Sequence, residues 1–124
     1  MIDLCFQAPS RAAFLADMSA AAPWLIGADG GIAREPGGIA FDDHRGRGIP
    51  IVVAPSEMGR DDAGLPVMTR PAVLADGYHA NLRLIGKHHA QRAAGIEAAV
   101  AAAGGALPNG TRLARPKTPK RVWA

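Results

Sequence analysis

The sequence predicts an α+β fold: a small mixed or antiparallel sheet, one or two helices on one face, and an extended C-terminal arm. Three observations carry this reading. An alternating strand pattern runs straight into a helical one between Ile2 and Ala22. A second alternating run, Tyr78 to Ile85, follows an Asp-Gly turn and precedes a second helical stripe. The segment 112–124 holds two prolines and five cations and ends on Val122-Trp123-Ala124. The chain of 124 residues fits a single domain, assigned to 1–111, followed by an arm over 112–124.

Each element has its own warrant. In Met1 to Gln7, Ile2, Leu4 and Phe6 alternate with Asp3, Cys5 and Gln7, as in a short buried strand. Cys5, the one cysteine, is read as a buried core thiol. Pro9 stops the strand and Ser10 is a good N-cap for a helix over Arg11 to Ala22. Phe14, Leu15, Met18 and Ala22 form that helix's apolar face, and Pro23 ends it. Trp24 to Ile26 offers a brief strand, and the glycine-rich stretch from Gly27 to Gly48 reads as loop apart from Ile39-Ala40-Phe41.

Ile49 to Ala54 contains the β-branched run Ile51-Val52-Val53, the pattern of a strand covered on both faces. Ser56 to Gly64 is polar and reads as loop, and Leu65 to Met68 as extended chain. Asp76-Gly77 predicts a hairpin joining Val73-Leu74 to the strand Tyr78 to Ile85. That strand alternates Tyr78, Ala80, Leu82 and Leu84 with His79, Asn81 and Arg83. Gln91 to Ala103 reads as a helix with an Ala93, Ile96, Val100 and Ala103 stripe, stopped by Gly104-Gly105.

Composition narrows function. Apolar residues make up 48% but aromatics only 5%, with 15 Gly and 10 Pro, so the core is thin and loops are many. The net charge of +3 is below what a nucleic-acid binder concentrates on one face, and no nucleic-acid partner is expected. No apolar run nears the roughly 20 residues of a membrane span, and no leader pattern precedes the first strand, so the chain is expected to be made in the cytoplasm without a membrane partner.

The candidate chemistry is sparse. Gly27-Ala28-Asp29-Gly30-Gly31 lacks the spacing of a phosphate loop and reads as a turn. Asp42-Asp43-His44 offers oxygen and nitrogen ligands, but Arg45 and Arg47 beside them oppose a cation, so a solvated charged loop is the better reading. His88-His89 supplies two imidazoles without an evident third ligand. His79, Asn81 and Arg83 share one face of a strand, where an anion or a partner carboxylate could bind, but a plain solvated or sheet-covered face is the better reading. No serine lies in a nucleophile elbow. The expectation is a non-enzymatic protein with no cofactor and no metal.

The C-terminal segment points elsewhere. Arg112, Arg115, Lys117, Lys120 and Arg121 give it charge, and Pro116 and Pro119 keep it extended. Val122 and Trp123 demand burial, either in a strand that rejoins the sheet or on a neighbouring protein.

Two stretches, Asp76-Gly77-Tyr78-His79-Ala80-Asn81-Leu82-Arg83-Leu84 and the closing Thr118-Pro119-Lys120-Arg121-Val122-Trp123-Ala124, resemble a group of small proteins of tailed bacteriophages and prophages. The likeness covers about the last 50 residues and carries no catalytic residues. It implies a non-enzymatic structural component of a bacteriophage particle, in the tail or host-binding apparatus and located in the virion. Its partners would be other virion proteins and copies of itself. Trp123 with Val122 would be the apolar anchor, with Arg121, Arg83, His79 and Asn81 as polar contacts. A small binding or regulatory module recognising an anionic ligand through His79, Asn81 and Arg83 is the alternative. A metal-dependent enzyme built on Asp42, Asp43 and His44 is the third reading.

Overall fold

The computed structural model describes residues 1–114. The strand β1 (Ile2–Ala8) enters the centre of a four-stranded antiparallel sheet. Next come the helix α1 (Arg11–Ala21), a 3-10 turn (Pro23–Leu25) and the strand β2 (Ile39–Asp42). Four short strands follow: β3 (Val52–Ala54), β4 (Glu57–Arg60), β5 (Pro66–Arg70) and β6 (Val73–Leu74). The chain then forms β7 (Tyr78–Leu84), the helix α2 (Lys87–Ala102) and β8 (Arg112–Leu113). The main sheet has the order β2-β7-β1-β8. This is the α+β architecture, and its two helices share one core cluster with a single face of that sheet.

Alternation builds that core. β1 contributes Leu4, Phe6 and Ala8, and β7 contributes Tyr78, Ala80, Leu82 and Leu84, all buried. The register pairs Leu4 with Leu82 and Phe6 with Ala80, so the apolar positions of both strands fall on the same face. Phe14, Met18 and Ala22 arrive from α1 and its end, and Ala93, Ile96 and Val100 from α2. Phe14 is the hub, with ring centroids 5.1 Å from Phe6, 5.5 Å from Tyr78 and 5.9 Å from Phe41. Ser10 caps α1 as its sequence implies, its hydroxyl accepting from the Ala13 amide at 3.1 Å.

One buried carboxylate bolts α1 to the turn before β8. Asp17 accepts from the Asn109 backbone and side chain at 2.9 and 3.0 Å, and from the Thr111 amide at 3.0 Å. Burial alone would raise its pKa, but the hydrogen bonds from Thr111 and Asn109 outweigh that and hold it below the usual carboxylate range.

Several expectations need correction. Cys5 is not in the core: the alternation that buries Leu4 and Phe6 turns it to the second face, half-buried opposite Asn81. Trp24 and Leu25 belong to a 3-10 turn rather than a strand, because Pro23 begins a helical turn more readily than it donates to a ladder. The second helix starts four residues early, at Lys87, so His88 and His89 lie in its first turn.

The larger corrections fall between residues 50 and 75. Val73-Leu74 pairs with β3, not with β7, so no hairpin forms around Asp76-Gly77. β7 is instead held between β1 and β2. Gly77, at φ 94°, makes the turn that delivers it, where a Cβ would meet the Ala8 carbonyl at 2.9 Å. The polar segment predicted as loop contains β4, which pairs with β5. Val52 and Val53 are 57% and 61% exposed rather than covered on both faces, because β6 is the sole strand partner of β3 among the described residues.

Candidate docking arm and side-chain clusters

Residues 52–74 form a two-stranded arm. The chain runs out along β3 and β4, turns at Asp61 to Leu65, and returns along β5 and β6. Asp61 makes the turn by accepting from the Ala63 and Leu65 amides, both at 2.9 Å. At its base, Ala75 donates to the Ile51 carbonyl at 2.8 Å and Ile49 to that of His79 at 2.8 Å. Among the described residues, the main packing of each arm strand is on its partner strand, β3 on β6 and β4 on β5.

The side chains on this arm are its unusual feature. Val52 faces Leu74 and Met58 faces Met68 across the ribbon, and all four are exposed. Val53, Leu65, Val67 and Val73 are exposed as well. An isolated two-stranded ribbon is marginal in water, and exposed apolar clusters of this kind mark interaction sites. The ion pair of Arg70 with Glu57 at 3.2 Å is solvated and stabilises little.

The body offers a surface of the complementary kind. Among the described residues β2 is an edge strand of the main sheet, with its Ile39 amide already donating to the Glu35 carbonyl. Beside it lies an open groove of about 390 Å³ lined by Ile32, Ile39, Phe41, Arg34 and Glu35. An edge strand presents backbone donors and acceptors to an incoming strand.

His79, Asn81 and Arg83 share the sheet's second face, as their spacing implies, but they are not exposed to solvent as a set. His79 and Asn81 are buried. The Asn81 amide finds no hydrogen-bond partner among the described residues. Burial lowers the His79 pKa and so favours the neutral imidazole. Arg83 directs its fork at Asp3, with Nε and NH2 at 2.8 and 3.1 Å from the two carboxylate oxygens. That bidentate bond raises the guanidinium pKa further. Arg121, Val122 and Trp123 lie outside the described residues. The first three residues of the 112–124 segment do lie along the sheet: β8 pairs with β1, and the Ala114 amide donates to the Cys5 carbonyl at 2.7 Å.

Asp42, Asp43 and His44 do not converge on a shared point. Asp43 accepts from the Tyr78 hydroxyl at 2.8 Å and from the Gly46 amide at 2.9 Å, and Arg11 lies 3.5 Å away. Burial and this carboxylate push the Tyr78 phenol pKa up. Asp42 instead caps its own turn, accepting from the His44 amide at 3.1 Å. His44 and Arg45 take left-handed conformations, φ 53° and 57°, so these residues shape a tight turn. The Gly27 to Gly31 stretch is also a turn, closed by the Gly27 amide on the Gly31 carbonyl at 2.7 Å.

A second cluster sits where α2 begins. Glu35, His88 and His89 place one potential ligand atom each within 4.8 Å of one another. The sequence shows the two histidines but hides the carboxylate, which lies more than 50 residues earlier. A signal for His89 was present: the Ala93, Ile96, Val100 stripe, continued back one turn, lands on it, and it is fully buried.

Comparison with known protein families, with curated proteins and with solved structures finds no match to this chain. Among the described residues, no helix is long and apolar enough to cross a membrane.

Proposed function

We propose that this chain is a non-enzymatic assembly component that docks onto copies of itself through the arm of residues 52–74. The observation that carries the reading is the row of exposed apolar side chains on an otherwise unsupported ribbon, Val52, Val53, Met58, Met68 and Leu74 foremost. The occupant of the β2-edge groove would be the arm of a second copy. Arm and groove are different surfaces of one chain, so each copy would offer one and receive the other. Such head-to-tail contacts close into rings or run on as filaments. Methionines suit the arm because their flexible side chains adapt to a receiving surface.

The setting proposed is a bacteriophage particle, its tail or host-binding apparatus, on the resemblance of the Asp76 to Leu84 strand and the closing Thr118 to Ala124 segment. An arm reaching to a neighbour is consistent with that setting. The anionic-ligand alternative draws less support, because Arg83 is already engaged by Asp3 and His79 and Asn81 are buried.

The test is to excise the arm tip. Glu57 and Arg70 are register partners, so a short glycine link can replace residues 57–70 without stretching the base. The shortened chain should keep its far-ultraviolet circular dichroism for the body and elute as a monomer where the full chain elutes larger. An unchanged elution size would overturn the docking reading.

A further inference from the structure

We propose that Glu35, His88 and His89 form a binding site for a divalent transition-metal ion, with zinc as the expected occupant. Two imidazoles and a carboxylate are a donor set that zinc takes, with a fourth position left for water. Glu35 also lines the β2-edge groove of the docking reading, but the two histidines belong to the metal proposal alone.

The spacing matches a shared ion better than it matches hydrogen bonds. The Glu35 Oε1 atom lies 3.5 Å from His88 Nε2 and 3.4 Å from His89 Nε2. Bonds of about 2.1 Å to a tetrahedral zinc hold neighbouring ligand atoms ~3.4 Å apart. The His88 and His89 rings lie with centroids 3.9 Å apart and planes tilted by 40°, side by side in the first turn of α2.

Two further observations point into the same space. His89 is fully buried, yet among the described residues its Nε2 makes no hydrogen bond. A buried polar atom left this way costs stability unless something completes it. Gly38 is the second. A Cβ at Gly38 would meet Glu35 Oε1 at 2.7 Å, so the missing side chain is the space the carboxylate occupies. The carboxylate's loop is itself fixed, since Gly38 and Ile39 donate to the Glu35 carbonyl at 2.9 and 2.8 Å, and Ile85 donates to that of Gly38 at 2.8 Å.

Arg92 is the competing cation. Its NH1 lies 3.3 Å from His89 Nδ1 and 3.8 Å from Glu35 Oε2, and its guanidinium rests over the Trp24 ring at 4.8 Å. With a metal on Nε2, the neutral imidazole carries its proton on Nδ1. Two donors would then face each other, so Arg92 must withdraw from His89. Its position on Trp24 changes with it, which gives metal binding an optical signature.

The experiment is a titration of the full chain with zinc, and with cobalt(II) to read coordination from its visible spectrum. A Trp123→Phe background leaves Trp24 as the reporter. The wild-type chain should bind one zinc, gain thermal stability and change its Trp24 fluorescence. His88→Ala and Glu35→Gln replace partly exposed side chains and should fold. Each should weaken binding by at least about 100-fold, the upper range for loss of a mere supporting contact. Gly38→Ala replaces no ligand but should weaken binding by displacing the Glu35 carboxylate. A folded wild-type chain that takes up no stoichiometric zinc would sink the proposal, as would uptake that His88→Ala and Glu35→Gln both leave intact.

Discussion

The body and the arm are both antiparallel sheet, yet their apolar side chains meet opposite fates. In the body, β1 and β7 alternate, and each apolar residue on the helix-facing side finds Phe14, Met18 or the α2 stripe above it. In the arm, Val52, Val53, Met58 and Met68 are as apolar as Leu4 or Leu82, but the described residues supply nothing to cover them. The difference teaches that β-branched and apolar composition specifies a need for burial and leaves open which molecule meets it. A segment whose need is unmet at home is where an outside partner should be sought.

Substitutions should separate the two regions by the quantity they change. The largest effect on stability belongs to the body's hub. Phe14→Ala removes a fully buried ring that contacts three others, and should cost about 3–5 kcal/mol in urea unfolding. Asp17→Ala should come next, at about 2–3 kcal/mol, because it leaves the Asn109 and Thr111 amides without their acceptor.

The Asp17 effect carries a pH signature. Folding lowers this carboxyl's pKa, so the folded chain binds fewer protons than the unfolded one as the group titrates. Its stabilisation is complete above the ordinary carboxylate value of about 3.9 and is lost as pH falls through the lower folded value. The gap between wild type and Asp17→Ala should therefore be widest near neutral pH and close in acid. Denaturation curves across that range check the sign.

How much of this was legible beforehand follows from what each residue depends on. The strand–helix opening was readable because Ser10, Phe14, Met18 and Pro23 act within a few residues of one another. The alternation of β7 was readable too, and with it the shared face of His79, Asn81 and Arg83. Whether that face met solvent was not, since the bidentate Asp3 partner of Arg83 lies 80 residues away. The same holds for Glu35 beside His88 and His89, a cluster assembled by a loop and a helix with no common motif. The arm was misjudged for a different reason. A contiguous Ile51-Val52-Val53 run reads as a doubly covered strand whether the cover is intramolecular or comes from a partner. The hairpin at Asp76-Gly77 failed because Val73-Leu74 had a competing partner in β3, which local turn chemistry does not register.

The smallest effect on folding is expected in the arm, and there it is most informative. Val53→Ser, Met58→Ser and Met68→Ser alter exposed residues, and each should change unfolding stability by no more than about 0.5 kcal/mol. Their effect should appear in association instead. The decisive measurement is sedimentation velocity over a concentration series, on the full chain and on the variant carrying all three serines. The docking account predicts that the wild-type chain sediments as an assembly that grows with concentration, while the folded triple variant stays monomeric throughout. Identical sedimentation of the two proteins, whether both assembled or both monomeric, would contradict it.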